Sequence, residues 1–449
     1  MSDLRIRPEK EEQQQLATRQ VGGIGYSSQR IRILWITNVP LPEASDLQGR
    51  TPSPFGGWLV GAARHLAPSV DLSVASLDRQ ALHTGTVRSE LITHYGFADR
   101  GDRQELDSAL SEIINIARPD IVHIFGTEYR HARQTAEICA AQGRPFTVSI
   151  QGLVSVYSRH YASGLPTNIQ RRFTLRDLVR GDSIRCQQEA MRRRGVDEVA
   201  TLRLSTEIIG RTTWDEACVT QMNPTANYRK CNEILRESFY NGEWNVQNCE
   251  RYSIFVSQGS YPIKGLHLML EAMPLILKRF PRAHLFVAGQ DVTGGHSLTG
   301  RLKLTSYGKH IRELIKENGL ADHVSFTGPL DEAAMRERFL KSHVFALPST
   351  IENSPNSLGE AMLLGVPTVA AAVGGVMDMA QPGVDALTYQ ADAPYMLAHQ
   401  ICRIFSSNHI AEQLGSNARA RSRATHDIEG NTAVLIEIYN SILSEANSP

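Results

Sequence analysis

The sequence has 449 residues, which is too long for a single ordinary core and predicts two domains of about 200 residues each. Apolar residues make up 41% of the chain, charged residues make up 21%, and the formal net charge is zero. This composition is typical of a soluble globular protein and indicates neither nucleic acid nor an anionic surface as a partner of the whole molecule. No uncharged apolar run reaches the roughly 18 residues that a membrane-spanning helix requires.

The first 30 residues carry many charges and glutamines and lack the apolar core of a secretory signal. We therefore expect an N-terminal arm over residues 1–30, of which about the first 20 residues are flexible or loosely docked. The six cysteines are scattered, and no two stand at the CxxC spacing of a zinc site or a redox pair. This use of cysteine favours a reducing cytoplasm, and no metal site is predicted.

From about Arg30 onward, short β-rich runs alternate with helical patterns such as Leu266–Arg279 and Ile311–Asn318. Several of the runs are apolar throughout, as expected of parallel strands that are buried on both faces. The alternation therefore predicts βαβ units in doubly wound sheets. The predicted strands are Ile31–Val39, Val70–Leu77, Asp120–Gly126, Phe146–Gly152, Ser253–Gly259, Ala283–Gly289, His323–Gly328, Val344–Pro348 and Thr368–Gly374.

The strand–helix pattern runs twice, which predicts an α/β chain of two Rossmann-like domains, over residues 31–245 and 246–427. A less regular, arginine-rich helical stretch over residues 155–240 interrupts the pattern, and the polar segment Asn241–Arg251 is the predicted junction. The last helix, over residues 428–446, follows the second domain and is predicted to cross back to the first. Ligands of doubly wound sheets bind at the carboxyl ends of the strands, so two such domains predict a cleft between them.

The segment Leu347–Pro367 carries the most chemical information. An apolar strand ends at Pro348, a polar loop follows, and Asn356 or Ser357 is the predicted N-cap of a helix that contains Glu360. A helix N-terminus reached through small residues offers free N–H groups and a positive dipole end, which suits a diphosphate. From the local pattern alone, an ordinary loop–helix junction with a capping glutamate is an equal alternative.

Glu352 and Glu360 are separated by seven residues and followed by Ala-Met, Gly365, Pro367 and Gly374-Gly375. This combination resembles the retaining glycosyltransferases of family four, whose GT-B fold has two Rossmann-like domains facing each other across a cleft. The resemblance implies that Glu352 meets the hydroxyls of the donor sugar and that Glu360 meets the ribose. It also implies that backbone amides hold the diphosphate and that the loop after His323–Gly328 meets the nucleobase. The implied backbone positions are Asn356, Ser357 and Leu358 for the diphosphate and Gly328 and Pro329 for the base.

Lys264 follows a predicted strand within Tyr261-Pro-Ile-Lys-Gly265. Taken alone, such a lysine is a solvated surface charge, whereas the resemblance implies that it neutralises the leaving diphosphate. The family has an arginine five residues earlier, where this chain has Gly259. That departure puts phosphate stabilisation in doubt unless another arginine takes the role.

The first domain supplies the facing wall in this interpretation. Gly56 and Gly57 allow a close approach of backbone to ligand, or form a plain turn. Glu128 lies past a strand end and is the better polar candidate there, because His123 alternates with apolar residues and is predicted to be a buried structural histidine.

Gln151 stands where many family members have a histidine that contacts the donor sugar. Glutamine can hydrogen-bond a hydroxyl but cannot act as an acid or base.

The Gly210-Arg211-Thr-Thr-Trp214-Asp215 segment is similar to one in bacterial family members that build surface polysaccharides. Arg211 is either the second cation at the diphosphate or a structural arginine paired with a local carboxylate.

Between Arg171 and Arg203, nine arginines stand against five acidic residues. This run is either a solvated helix face or a docking surface for an anionic lipid-linked acceptor or for the membrane itself.

The sequence thus predicts a metal-independent, retaining transfer of a sugar from a nucleoside-diphosphate donor to a glycan or lipid-linked acceptor. Lys264, Glu352, Gln151 and Arg211 form the predicted catalytic set, with no cofactor beyond the donor substrate. No Asp-x-Asp pair for a metal–diphosphate complex occurs in the chain. Two alternatives remain: a non-catalytic nucleotide- or glycan-binding subunit, and a nucleotide-sugar epimerase of the same fold. The expected location is the cytoplasm, with peripheral membrane association as an option.

Overall fold

Two parallel sheets, each flanked by helices, account for most of the chain. The fold is known from a computed structural model, which describes residues 30–51, 56–78, 85–295, 300 and 303–446. Apart from Arg30, the predicted N-terminal arm lies outside the described residues.

The first sheet has eight strands in the described part of the chain, in the order β3-β4-β2-β1-β5-β6-β7-β8. Every neighbouring pair is parallel except β3 and β4, which are antiparallel. Its elements are β1 (Arg32–Thr37), α1 (Pro42–Leu47), α2 (Gly57–Leu66), β2 (Asp71–Leu77), β3 (Gly85–Arg88), β4 (Ile92–Phe97), α3 (Arg103–Ala117), β5 (Ile121–Phe125), α4 (Arg130–Ala141), β6 (Phe146–Ser149), α5 (Val154–His160), α6 (Thr167–Gln170), α7 (Leu175–Arg180), α8 (Ile184–Leu204), β7 (Glu207–Gly210), α9 (Thr213–Met222) and β8 (Asn227–Lys230).

The second sheet has six strands in the described residues, in the order β11-β10-β9-β12-β13-β14, and all its pairs are parallel. Two 3₁₀ turns, Glu237–Tyr240 and Pro262–Lys264, accompany it. Its elements are β9 (Glu250–Val256), α10 (Leu266–Leu277), β10 (His284–Val287), α11 (Ser306–Glu317), β11 (Val324–Phe326), α12 (Glu332–Lys341), β12 (Ser342–Leu347), α13 (Asn356–Leu364), β13 (Thr368–Ala371), α14 (Val376–Met379), β14 (Leu387–Tyr389), α15 (Pro394–Ser406), α16 (Asn408–Thr425) and α17 (Ile428–Ala446).

All nine predicted strands are present, but several end before the glycine that closed the prediction. Gly126, Gly289, Gly328 and Gly374 have positive φ angles of 84°, 103°, 77° and 50°, which the extended strand does not allow. The prediction missed β3, β4, β7, β8 and β14. These strands have only three to six residues, and the exposed edge strand β8, Asn-Tyr-Arg-Lys, shows no apolar pattern.

The last helix, α17, packs on the first domain. Tyr439 is fully buried there, and its hydroxyl accepts a hydrogen bond from Trp35 Nε1 at 3.0 Å. Leu435, Ile438 and Ile442 join the same apolar cluster as the strand β1. The chain therefore starts in the first domain, crosses to the second and returns.

The outward crossing begins earlier than the predicted junction at Asn241–Arg251. Leu235, Phe239 and Trp244 already belong to the core of the second domain. Trp244 Nε1 also donates to the carbonyl of Ser342, in β12, at 2.7 Å. Polar composition marked the segment as a linker, but its large apolar side chains anchor it.

The helical stretch between β6 and β7 contacts both domains. Tyr161, Leu165 and Ile169 pack in the core of the second domain, while Leu153 and Leu202 pack on the first. This stretch therefore bridges the two domains.

Candidate active site

Lys264 and Glu352 meet in a buried ion pair. Lys264 ends the 3₁₀ turn that follows β9, and Glu352 lies in the loop that follows β12, the neighbouring strand of the sheet. The Lys264 Nζ–Glu352 Oε1 distance is 2.6 Å, and the Ser349 hydroxyl donates to the same carboxylate oxygen at 2.7 Å. Two residues that were predicted from separate motifs thus form one ion pair.

Backbone packing fixes the two loops that carry this pair. Gly265 has φ of +68°, and a Cβ at this position would stand 1.8 Å from the carbonyl oxygen of Pro348. The amide of Thr350 donates to the carbonyl of Ile263 at 2.8 Å. A Cβ on Gly374 would stand 1.9 Å from the carbonyl oxygen of Glu352. Glycine is therefore required at both positions, and the backbone of Glu352 is packed against Gly374.

The pKa of Lys264 reflects this environment. Burial is the largest single effect and lowers the pKa of the ammonium group, but the charge of Glu352, the charge of Tyr261 and the hydrogen bond to Glu352 together raise the pKa of Lys264 above its ordinary value. Lys264 therefore remains a cation at neutral pH in a site from which water is largely excluded. Such a cation interacts strongly with an incoming anion.

A second ion pair, Arg236–Glu360, lies at the other predicted glutamate. Arg236 Nε donates to Glu360 Oε1 at 2.6 Å and Nη2 donates to Oε2 at 2.7 Å, which is the bidentate geometry of a strong pair. Burial raises the pKa of the Glu360 carboxyl, and the guanidinium opposes that shift. Sequence reasoning missed Arg236, because nothing in the segment before the Glu237–Tyr240 turn marks it as a site residue.

Arg236 also packs against one glycine of the Gly56-Gly57 pair of the first domain. A Cβ added to Gly57 would stand 2.7 Å from Cγ and Cδ of Arg236, whereas a Cβ on Gly56 would stand 2.9 Å from Val39 Cγ2. Gly57 is the first residue of α2 and Gly56 is its N-cap. The start of α2 thus lies beside the aliphatic part of the Arg236 side chain.

The helix α13 begins beside these groups. Its first residue is Asn356 and its N-cap is Pro355, which makes no side-chain hydrogen bond to the helix. The prediction of Asn356 or Ser357 as the N-cap is therefore wrong by one or two residues, because Pro355 takes the extended conformation that ends the loop. Ser357 and Leu358 lie in the first turn, whose N–H groups have no capping side chain.

The position of the family's arginine is closed in this chain. A Cβ on Gly259 would stand 2.7 Å from Leu266 Cδ2 and 2.9 Å from Val287 Cγ1. An arginine there would have to displace both side chains.

The predicted base-contacting loop follows β11. Gly289 donates its amide to the carbonyl of Gly328 at 3.0 Å, which joins the ends of β10 and β11. Pro329 comes next, and Glu332 follows at the start of α12. The charge of Glu332 acts on both Arg236 and Glu360, so this loop lies near the second ion pair.

Arg211 is paired rather than free. Its buried guanidinium forms an ion pair with Glu233, and Nη2 donates to the carbonyls of Ile150 at 2.9 Å and Gln151 at 3.1 Å. The geometry favours the structural alternative for Arg211, in which it fixes the strand end that carries Gln151. Gln151 and Arg211 line a cavity of about 50 Å³ whose walls include Trp58, Phe125 and Leu435.

His123 lies within the strand β5, and Glu128 lies in the loop that follows it. His123 is fully buried between the hydroxyls of Tyr439 at 2.6 Å and Ser149 at 2.7 Å, and burial lowers its pKa to about 3. It is a neutral structural histidine, in line with the prediction. Glu128 bonds to the amide of Thr127 at 3.2 Å, and burial raises its pKa.

Tyr157 is a cleft residue that sequence reasoning missed. Its ring packs 3.3 Å from the position of a Cβ on Gly152, and its hydroxyl hydrogen-bonds with the backbone of Asn353. The hydroxyl of Thr212 donates to Asn353 Oδ1 at 3.0 Å. The loops at the carboxyl ends of both sheets thus meet beside Glu352.

Residues 240–421 match the sequence profile of the family described as "Glycosyl transferases group 1". The matched range contains Lys264, Glu352 and Glu360 with the loops that hold them. The second domain is a glycosyltransferase group 1 domain.

Individual proteins of known name are also similar to part of this chain. One similar sequence is a D-inositol 3-phosphate glycosyltransferase of Streptomyces griseus subsp. griseus, 27% identical over 186 residues that cover 41% of this chain. The match covers 38% of that relative, so the similarity is limited to well under half of its length.

Solved structures cover more of the chain. The sucrose-phosphate synthase of Thermosynechococcus elongatus has a TM-score of 0.68 at 16% identity, over 92% of this chain and all of that one. The Anabaena protein HepE in complex with UDP and glucose has a TM-score of 0.65 at 17% identity, with the same coverage. The fold is therefore GT-B, as predicted.

No helix in the described residues combines the length and apolar character needed to cross a bilayer. In the same ranges, no three His, Cys, Asp or Glu residues come together as metal ligands.

Proposed function

We propose that the protein transfers a sugar from a nucleoside-diphosphate donor to a glycan or lipid-linked acceptor, with retention of configuration and without a metal ion. The observation that carries the proposal is the convergence of two cation–carboxylate pairs, Lys264–Glu352 and Arg236–Glu360, at the uncapped N-terminus of α13. A buried cation, a guanidinium and a helix N-terminus together suit a diphosphate.

In this proposal, the two cations act on the leaving diphosphate, and the two carboxylates act on the donor sugar and the ribose. Lys264 neutralises the diphosphate as the glycosidic bond breaks, and Arg236 is the second cation, in place of the arginine for which Gly259 leaves no room. The amides of Asn356 and Ser357 hold phosphate oxygens, whereas the amide of Leu358, which was also predicted to do so, donates to the carbonyl of Pro355 at 2.9 Å. Fixed donors of this kind stabilise charge as it develops, without the reorganisation that water requires.

Glu352 and Glu360 keep acceptor capacity while they are paired. Each carboxylate has about four lone-pair sites, of which the contacts described use two. Glu352 then orients a hydroxyl of the donor sugar and Glu360 accepts from the ribose. Because Gln151 cannot transfer a proton, the leaving phosphate is the group that takes the proton of the acceptor hydroxyl.

The first experiment measures donor binding without metal. The melting temperature of the full chain is followed with UDP, GDP and ADP in EDTA, since a ligand that binds only the folded state raises it. UDP is tested first because a protein of the same fold was solved with UDP and glucose. No shift with any nucleoside diphosphate would remove the proposed site.

A non-catalytic binding subunit is the second candidate, and Gln151 and Gly259 favour it because each replaces a polar or charged residue that the resemblance implies. Turnover separates the two functions. A binding subunit shows the thermal shift but no slow hydrolysis of UDP-, GDP- or ADP-sugars and no transfer to acceptors in a cell-envelope extract. An epimerase instead interconverts the free nucleotide-sugar.

A further inference from the structure

The short helix α7 and the residue before its N-cap present apolar side chains to solvent. Leu175, Leu178 and Val179 stand at i, i+3 and i+4 on one helix face and are 75%, 61% and 87% exposed. Phe173, two residues before the helix, is 61% exposed. A surface helix normally buries such a face against the core, whereas α7 presents it to solvent.

Polar contacts hold α7 in this orientation. The Asp177 side chain is buried on the inner face, where it accepts from the amide of Thr174 at 3.0 Å and from the amide of Ser306 at 2.9 Å. The Thr174 hydroxyl donates to the carbonyl of Leu304 at 2.7 Å. The helix is thus anchored to the start of α11 through its polar side, which leaves the apolar side free.

Exposed arginines lie in the same segment as the apolar face. Arg171, Arg180 and Arg185 are exposed, and none of them forms an ion pair with a residue that the structure describes. In contrast, Arg172 pairs with Glu313 and Arg176 pairs with Asp182 at 2.7 Å. The segment that carries Phe173 and the apolar helix face thus also carries three exposed arginines without an ion-pair partner among the described residues.

We propose that residues 171–185, the α7 surface, dock the protein on a membrane that carries anionic lipids. A surface segment that combines exposed apolar side chains with exposed arginines matches the boundary between acyl chains and phosphate headgroups, where the apolar tips enter and the guanidinium groups meet phosphates. The zero net charge of the whole chain gives no such attraction, so the attraction is local to this surface. This inference does not depend on the proposed sugar transfer.

The test is co-sedimentation of the full chain with phosphatidylcholine vesicles, with and without phosphatidylglycerol. We expect binding only when phosphatidylglycerol is present, and weaker binding at high salt. The variant Leu178→Ser/Val179→Ser should bind about tenfold more weakly or worse, because it loses several buried CH₂ groups. Its matched control, Ile116→Ser/Tyr395→Ser, changes side chains that are 56% and 62% exposed elsewhere and should bind like wild type.

A variant that removes two positive charges gives a second, independent test. Arg180→Gln/Arg185→Gln should lose most of the preference for phosphatidylglycerol, whereas Arg88→Gln/Lys278→Gln, at exposed positions elsewhere, should keep it. Because these substitutions are at the surface, all variants should keep the wild-type melting temperature. The proposal is overturned if the wild-type protein does not bind vesicles that contain phosphatidylglycerol. Undiminished binding by the Leu178/Val179 and Arg180/Arg185 variants also overturns it and points to another surface or to a protein partner.

Discussion

Lys264 is a buried cation whose only side-chain hydrogen bond in the described structure is to Glu352. Removing it has two effects: the proposed leaving group loses a positive charge, and a nearly buried carboxylate loses its counter-ion. The second effect acts on stability and the first acts on catalysis, so the two can be measured separately.

We expect Lys264→Ala to lower kcat by roughly a hundred- to a thousandfold, with a smaller effect on donor affinity, because the contact strengthens as the diphosphate leaves. Steady-state kinetics with the best donor and a thermal shift with the matching nucleoside diphosphate measure the two quantities. Lys278→Ala, an exposed lysine at the end of α10, is the control and should leave both unchanged. A near-normal kcat for Lys264→Ala would make Lys264 a structural residue.

Gln151 gives a second prediction at this scale. Gln151→Ala should reduce turnover only moderately, because an amide orients a hydroxyl but transfers no proton. Gln151→His should not be needed for activity. Both variants are compared with wild type by donor hydrolysis and by transfer.

Two results would contradict the prediction for Gln151. A folded but fully inactive Gln151→Ala shows that glutamine has a larger role in the mechanism. A wild-type protein that binds donor without turnover, together with a gain of activity in Gln151→His, identifies a degenerate binding subunit.

At the scale of elements, α17 joins the end of the chain to the first sheet through one hydroxyl. Tyr439 accepts from Trp35 Nε1 and hydrogen-bonds to His123 Nδ1. His123 Nε2 in turn hydrogen-bonds with the hydroxyl of Ser149 at 2.7 Å. The chain of bonds fixes the helix on the sheet.

Tyr439→Phe should therefore lower the free energy of unfolding by about 2 kcal/mol or more, because it leaves a buried indole N–H and an imidazole nitrogen without a partner. Urea unfolding of the full chain measures this change. Tyr395→Phe, at an exposed tyrosine of α15, should stay within about 0.5 kcal/mol of wild type. Equal stabilities of the two variants would mean that apolar packing alone holds α17.

At the scale of the whole molecule, Arg236 contacts Gly57 of the first domain and pairs with Glu360 of the second. The guanidinium therefore couples the positions of the helices α2 and α13 across the cleft. The same carboxylate is the proposed ribose ligand, so stability and donor binding share one ion pair.

A double-mutant cycle tests this coupling. Arg236→Ala should destabilise the protein by about 3 kcal/mol or more, since it leaves the buried Glu360 unpaired, and Arg236→Ala/Glu360→Gln should be more stable than Arg236→Ala. Arg236→Ala should also reduce the thermal shift produced by a nucleoside diphosphate. Additive effects of the two single substitutions on unfolding would show that the pair contributes no coupling energy.

The apolar runs were sufficient to predict two domains with doubly wound parallel sheets, because buried parallel strands leave a continuous apolar pattern. The more specific GT-B fold was implied by the family resemblance of the segment that contains Glu352 and Glu360. The sequence by itself also placed Glu352, Glu360 and Lys264 in one second domain, since each follows a strand of the same sheet. Only the tertiary structure decided their partners. Arg236 and Tyr157 reach the cleft from segments without a local pattern, Arg211 is neutralised by Glu233, and α7 turns its apolar face outward. These outcomes depend on which chain segments meet across the two domains, and no local sequence pattern records such contacts.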